Sequence, residues 1–204
     1  MLHWGSSYSR IARSIGALVV AGFLGGCGTV PPTTDLFTLQ PASGVTSPVT
    51  TAEAVPERVR VVRIAVSVPQ ALDRRALTVR ADAVRYTIDD RYQWSLPFGE
   101  EVQEALRTRL AVRYPAYVFV SDLSALANRA DMRLQFVFDR YEADLKGGAL
   151  AHGSCSLHAG NQTVWKRPFA FHTEAEATPE GIAQALQSLL DEVLSVCVLE
   201  PEGR

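Results

Sequence analysis

The chain has 204 residues, 47% hydrophobic and 21% charged, which suits one sizeable core and is too apolar for a disordered polypeptide. Twenty basic residues against 22 acidic ones give a formal charge of −2, without the basic excess that neutralising a phosphate backbone requires, so no nucleic-acid partner is expected. No apolar run reaches the roughly 20 residues of a membrane-spanning helix.

The N-terminus reads as an export signal. Arg10 and Arg13 precede an apolar run from Ile15 to Leu24, too short for a stable span, that closes in Leu24-Gly25-Gly26-Cys27. Leucine, two small residues and a cysteine resemble a bacterial lipobox, in which the Cys27 thiol is acylated and becomes the new N-terminus; the alternative is an ordinary signal with an incidental cysteine. Residues 1–26 are then a signal peptide, and their loss leaves 18 basic against 22 acidic residues. A net negative domain is not steered to anionic lipid by its charge. A diacyl or triacyl chain, at roughly 0.8 kcal/mol per buried methylene, anchors it stably instead. Gly28 rather than Asp after the cysteine points to the outer membrane, on its periplasmic face.

Residues 27–57 are expected to be the acylated cysteine, a Pro/Thr-rich tether and a mobile Pro41–Pro56 loop. Within them Leu36-Phe37-Thr38-Leu39 is either a short strand or more tether. The folded domain is expected over 58–204. Val59–Val68, rich in β-branched residues, predicts a central strand covered on both faces and ended by Pro69. Leu77–Arg80 and Val84–Ile88 flank Ala81-Asp82-Ala83 as a hairpin, with a loop from Asp89 through Trp94. Ser95 as cap and Pro97 in the first turn start a helix to about Arg113, with Phe98, Val102, Ala105, Leu106 and Leu110 on one stripe. Glu100, Glu101 and Glu104 at its start and Arg107, Arg109 and Arg113 at its end suit the helix dipole and read as a solvated face.

Tyr117–Val120 is a short strand, and a brief helix capped by Ser121 or Asp122 runs through Asn128. Met132–Asp144 alternates, with Met132, Leu134, Phe136 and Phe138 on one face and Lys146-Gly147-Gly148 as the turn. In the returning strand Ala149, Ala151, Gly153, Cys155 and Leu157 share the apolar side. A three-residue loop at 159–161 would set Cys155 opposite Trp165 and Ala151 opposite Phe169, and Pro168 marks an edge or a bulge. Thr178-Pro179-Glu180 opens the last helix, whose stripe from Ile182 through Leu186, Leu190 and Val193 to Cys197 faces the core.

With Cys27 acylated, Cys155 and Cys197 remain as a pair in an oxidising compartment, either disulfide-bonded or as two buried thiols. Because both face the core, a bond between them is the expectation. His152 and His158 lie roughly 20 Å apart along one strand face, too far for one metal ion. Gly153-Ser154-Cys155-Ser156 lacks the second glycine and the strand-to-helix elbow of a hydrolase nucleophile. No phosphate loop or dinucleotide fingerprint is present, so no enzyme, metal or cofactor is expected. Trp94 and Phe98 suit the helix entrance, while Arg91, Tyr92 and Trp94 together form a possible partner contact.

Ile64-Ala65-Val66-Ser67-Val68-Pro69, then Leu72-Asp73-Arg74-Arg75-Ala76-Leu77-Thr78-Val79-Arg80, then Tyr92-Gln93-Trp94-Ser95-Leu96-Pro97-Phe98 resemble the ABC-type transport auxiliary lipoproteins, the PqiC/YmbA-like family. Phe37 stands where that family usually has tyrosine. The resemblance implies a single α/β domain, a mixed and largely antiparallel sheet flanked by helices, similar to the N-terminal domain of TolB. It also implies a non-catalytic subunit of a lipid-transport system with an ABC permease, an ATPase and an MCE-domain protein, and homo-oligomers are compatible with such symmetric assemblies. The alternative is a lipid- or hydrophobe-binding lipoprotein acting alone, which would need an apolar cavity.

Overall fold

The structure, a computed structural model, describes residues 33–41 and 60–199, which from Thr34 onward belong to one compact unit. In chain order the elements are β1 (Asp35–Phe37), β2 (Arg60–Ser67), β3 (Ala76–Arg80), β4 (Tyr86–Trp94) and α1 (Phe98–Arg113). There follow β5 (Tyr117–Ser121), a 3-10 turn (Ala127–Arg129), β6 (Met132–Ala143), β7 (Gly148–Ala159), β8 (Gln162–Glu174) and α2 (Pro179–Val196). Cys27 and the loop expected around Pro41–Pro56 lie outside the described residues, apart from Pro41 itself.

The architecture is the expected mixed α/β class. A five-stranded sheet has the order β5-β2-β6-β7-β8, and a three-stranded sheet the order β1-β4-β3. β2 runs parallel to both β5 and β6, whereas β6, β7 and β8 form an antiparallel meander. Alternation assigns the faces: Val62 and Ile64 of β2, Leu134 and Phe136 of β6 and Cys155 of β7 are all fully buried on one side. That side carries both helices. The stripe of α2 buries Ile182, Leu186, Leu189, Leu190 and Val193 to 4% exposure or less, and each such side chain contributes roughly 1.5–3 kcal/mol. Thr178 caps this helix, its side chain accepting from the Gly181 N–H at 3.1 Å. An aromatic column fills the centre: Trp94 to Phe98 (5.2 Å between ring centroids), Phe98 to Tyr141 (5.5 Å), Tyr141 to Phe138 (4.8 Å) and Phe138 to Phe169 (5.3 Å). The Tyr141 hydroxyl, buried with it, donates to the Leu186 carbonyl at 2.7 Å.

Several expectations need correction. β2 is central but unequally covered: on the face away from the helices Ala65 is buried while Val61 and Arg63 are only half-buried, because both helices pack on the opposite face. The segment from Asp89 through Trp94 is not a loop. It continues β4, since β1 pairs with it in parallel, Asp35 beside Tyr92 and Phe37 beside Trp94. The β7–β8 register differs by two residues from the expected one, with Cys155 opposite Arg167 and Ala151 opposite Phe171. The turn is tighter, pairing Ala159 with Gln162 around Gly160 at a φ of 57°, and a shift between Leu157 and His158 takes up the remainder. A two-residue slip preserves every face, so the buried set is the expected one. Pro168 does sit on an edge strand, β8. A second bulge, at Asp139 of β6, brings backbone so close to Gly153 that a Cβ there would lie 2.0 Å from the Val137 carbonyl oxygen.

Candidate functional site

The segment that follows β1 is fixed to the body by polar side chains of both helices. Leu39 is fully buried, and three side chains fix the backbone around it. Glu101 of α1 accepts from the Thr38 hydroxyl (2.6 Å), from the Leu39 N–H (2.7 Å) and, through its other oxygen, from the Ser95 hydroxyl (2.6 Å). Arg109 of the same helix donates to the Leu39 carbonyl at 2.9 Å and to Asp191 of α2 at 2.9 Å. Gln187 of α2 donates to the Thr38 carbonyl at 2.8 Å and to the Gln40 carbonyl at 3.3 Å. Both helices therefore grip residues 38–40.

This clamp corrects two expectations. Glu101, expected on a solvated face, is 1% exposed. Ser95 does not cap α1, because its hydroxyl is spent on Glu101. Asp73 caps instead, accepting the Gly99 N–H at 2.9 Å. The stretches 72–80 and 92–98 lock together at the same corner: the Arg75 carbonyl accepts the Trp94 N–H at 2.7 Å, the Arg74 carbonyl the Phe98 N–H at 3.2 Å, and the Phe37 carbonyl the Ser95 N–H at 2.8 Å.

A second polar knot pins the three-stranded sheet to the end of β6. Glu142, 4% exposed, receives Arg80 in a fork (2.7 and 3.0 Å), the Tyr86 hydroxyl (2.5 Å) and Arg140 (2.8 and 2.6 Å). Burial pushes its pKa up, but the hydrogen bonds from Arg80, Tyr86 and Arg140 outweigh that and hold it below the usual carboxylate range. Tyr86 is shifted the other way, raised by burial and by its bond to Glu142. The Arg80 guanidinium also lies over the Tyr86 ring, 4.6 Å from its centroid.

Of the partner-contact residues, Trp94 is 3% exposed and packed on Phe98, so it cannot meet a partner without unfolding the corner. Arg91 is exposed and already paired with Asp89 at 2.7 Å, and it leans over the half-buried ring of Tyr92. Tyr92 in turn contacts Phe37, 6.1 Å between centroids. Cys155 and Cys197 are joined in the structure with Cα atoms 6.0 Å apart, which ties β7 to the end of α2. Of the histidines, His152 faces Asp139 at 3.3 Å and His158 lies between the hydroxyls of Ser156 and Thr163. Among the described residues no group of three or more His, Cys, Asp or Glu side chains is placed to hold a metal ion, and no helix is long and apolar enough to cross a membrane.

Sequence reasoning missed the clamp, although one signal for Glu101 was present: it follows Phe98 by three residues and precedes Ala105 by four, inside the apolar stripe.

Two solved structures share the fold. An uncharacterized protein aligns with a TM-score of 0.56 at 18% identity, covering 80% of this chain and 97% of that one. A Xanthomonas campestris protein of the DUF330 family aligns with a TM-score of 0.52 at 17% identity, covering 67% and 81%. No curated protein matches. The profile of the ABC-type transport auxiliary lipoprotein component matches residues 37–195, from β1 to the end of α2, and the chain belongs to that family.

Proposed function

We propose that the protein is a membrane-anchored periplasmic subunit of an ABC/MCE-type lipid-transport system, held to the outer membrane through acylated Cys27 and acting by protein–protein contact without catalysis. The observation that carries this reading is the clamp: Glu101, Arg109 and Gln187 fix the backbone of residues 38–40 to two helices, directly after β1, the first strand that a leader from Cys27 would reach. From Cys27 to Asp35 the chain can span at most about 28 Å, so an acylated Cys27 keeps the domain near its leaflet. The disulfide between Cys155 and Cys197 suits an oxidising compartment. Arg91 and Tyr92 are the parts of the entrance corner available to a partner, and assembly of several copies around a symmetric partner belongs to the same reading.

The alternative of a lone hydrophobe carrier finds less support. Among the described residues, the void in the centre of the core beside Leu72, Trp94, Phe98, Tyr141 and Leu186 holds about 10 Å³, barely room for one water, and the apolar cleft beside Ile64, Leu96 and Leu123, at about 180 Å³, also carries the charged side chains of Glu100, Glu104 and Arg107.

The test is affinity purification of the full chain from detergent-solubilised envelope, wild type beside Cys27→Ser, with mass spectrometry of the mature N-terminus. Expected are a lipid-modified Cys27, co-purification of an MCE-domain protein and a permease, and release of Cys27→Ser from membranes. An unmodified N-terminus elsewhere, or capture of neither partner, overturns the proposal.

A further inference from the structure

The face of the five-stranded sheet that carries no helix holds a polar groove of about 480 Å³ near the 3-10 turn and the β7–β8 turn. Its floor is a row set by strand register. Arg63 of β2 lies beside Arg133 of β6, and Arg133 beside His158 of β7. Two guanidinium groups side by side on one face repel each other, so the arrangement costs stability unless negative charge is supplied between them. Arg63 has a counter-charge in Asp122 at 3.2 Å, an exposed pair of little strength.

Arg133 has none. Among the described residues it makes no hydrogen bond or ion pair, and its Nε is buried without an acceptor. Burying an unsatisfied donor is costly, and such a group calls for an absent partner. The ring of His158 is held by Ser156 at 2.9 Å and Thr163 at 3.2 Å, so it serves as a fixed wall. Asn128 and Asn161 add amide groups at the rim, while Asp131 contributes an opposing carboxyl.

We propose that this groove binds a phosphate group carried by a small molecule or a lipid headgroup, with Arg133 as the principal contact and Arg63 as the second. Arginine offers a planar fork that matches phosphate or carboxylate oxygens. Two forks with amides around them supply more donors than the two oxygens of a carboxylate can accept, which favours phosphate. The volume falls within the range of small-ligand sites. This assignment stands on the groove alone and is independent of the transport reading.

The test is titration calorimetry of the full chain in neutral detergent. The probes are glycerol 3-phosphate and, separately, phosphatidylglycerol in mixed micelles, with the detergent alone as control. Binding of glycerol 3-phosphate assigns a soluble phosphate ester; binding of phosphatidylglycerol only assigns a lipid headgroup; either supports the site. Arg133→Gln weakens binding about 10- to 100-fold, the value of one charged contact, Arg133→Lys restores part of it, and Asp131→Asn tightens it. Because Arg133 satisfies nothing in the free protein, Arg133→Gln keeps or raises the melting temperature when phosphate is absent. Failure of both probes to bind, equal affinity in Arg133→Gln, or an Arg133→Gln protein that unfolds overturns the proposal.

Discussion

Replacing Glu101 by alanine tests whether the clamp holds the leader segment to the body. The wild-type side chain accepts three hydrogen bonds, from Thr38, Leu39 and Ser95, at 2.6–2.7 Å and at 1% exposure. A hydrogen bond contributes about 0.5–1.5 kcal/mol net, and a buried N–H left without an acceptor, here that of Leu39, costs about 1–3 kcal/mol. The two hydroxyl bonds and the orphaned N–H sum to a loss of about 2–6 kcal/mol, a large share of the roughly 5–15 kcal/mol that a domain has. For a chain of this size the melting temperature falls by roughly 4–24 °C. Glu101→Gln keeps an acceptor oxygen for Leu39 and lets Ser95 become the acceptor, so it costs about 1–2 kcal/mol. Urea unfolding gives the two stabilities, and amide exchange at Leu39 reports the local event. In Glu101→Ala that amide exchanges while the α2 amides stay protected, because the hydrogen bonds removed are those that hold the leader. A stability change below about 1 kcal/mol with Leu39 still protected would refute the reasoning.

Three further outcomes follow from the packing and the charges. Reduction, or Cys155→Ala with Cys197→Ala, lowers stability by about 2–4 kcal/mol in the loop-entropy picture, and thiol titration of the denatured, unreduced protein from the periplasm finds neither cysteine free. Glu142 is held below its ordinary value of 4.5 in the folded protein, so its contribution is complete above that pH and is lost as the pH falls through its folded value. Arg80→Met costs about 2–4 kcal/mol at neutral pH and flattens the acid limb of the stability profile, which urea titrations at successive pH values measure. Trp94→Ala costs about 3–5 kcal/mol, as large buried aromatics do, whereas Arg91→Ala stays within about 0.5 kcal/mol, so an effect of Arg91→Ala on partner capture reports contact and not folding.

The sequence made legible what depends on local periodicity. The alternation of β6 and β7, the Thr178-Pro179 start of α2 and the core-facing positions of Cys155 and Cys197 all follow from residue spacing, and the buried set agrees even where the β7–β8 register moved by two. What it did not disclose depends on partners distant in the chain. Glu101 reads as one acid among three until Thr38 and Leu39, more than 60 residues away, supply its donors. The extension of β4 through Trp94 depends on β1 lying alongside it, and Asp73 could replace Ser95 as the cap only because the loop after β2 returns to the start of α1. The division into two sheets has the same cause, since β2 takes β5 and β6 as parallel neighbours and leaves β3 and β4 to pair with β1.

The two faces of the five-stranded sheet have different physical tasks. The helix-bearing face contains the aromatic column, the Cys155–Cys197 bridge and the clamp on residues 38–40, so most of the apolar burial and the hold on the leader sit on one side. Immediately after β1, the backbone groups of residues 38–40 are held by Glu101, Arg109 and Gln187 from two helices. The other face has no helix to pack against, so its side chains are selected by what they meet in solution. There the strands carry Arg63, Arg133 and Gln135 where a second helix layer would require apolar residues. A domain that only needed stability would place apolar or paired side chains at Arg133 and relieve its unpartnered Nε. Trp165 on the helix-bearing face also has a buried Nε1 without a partner, so what distinguishes Arg133 is its place beside Arg63 in an open polar groove, and that juxtaposition supports ligand chemistry on the side away from the helices.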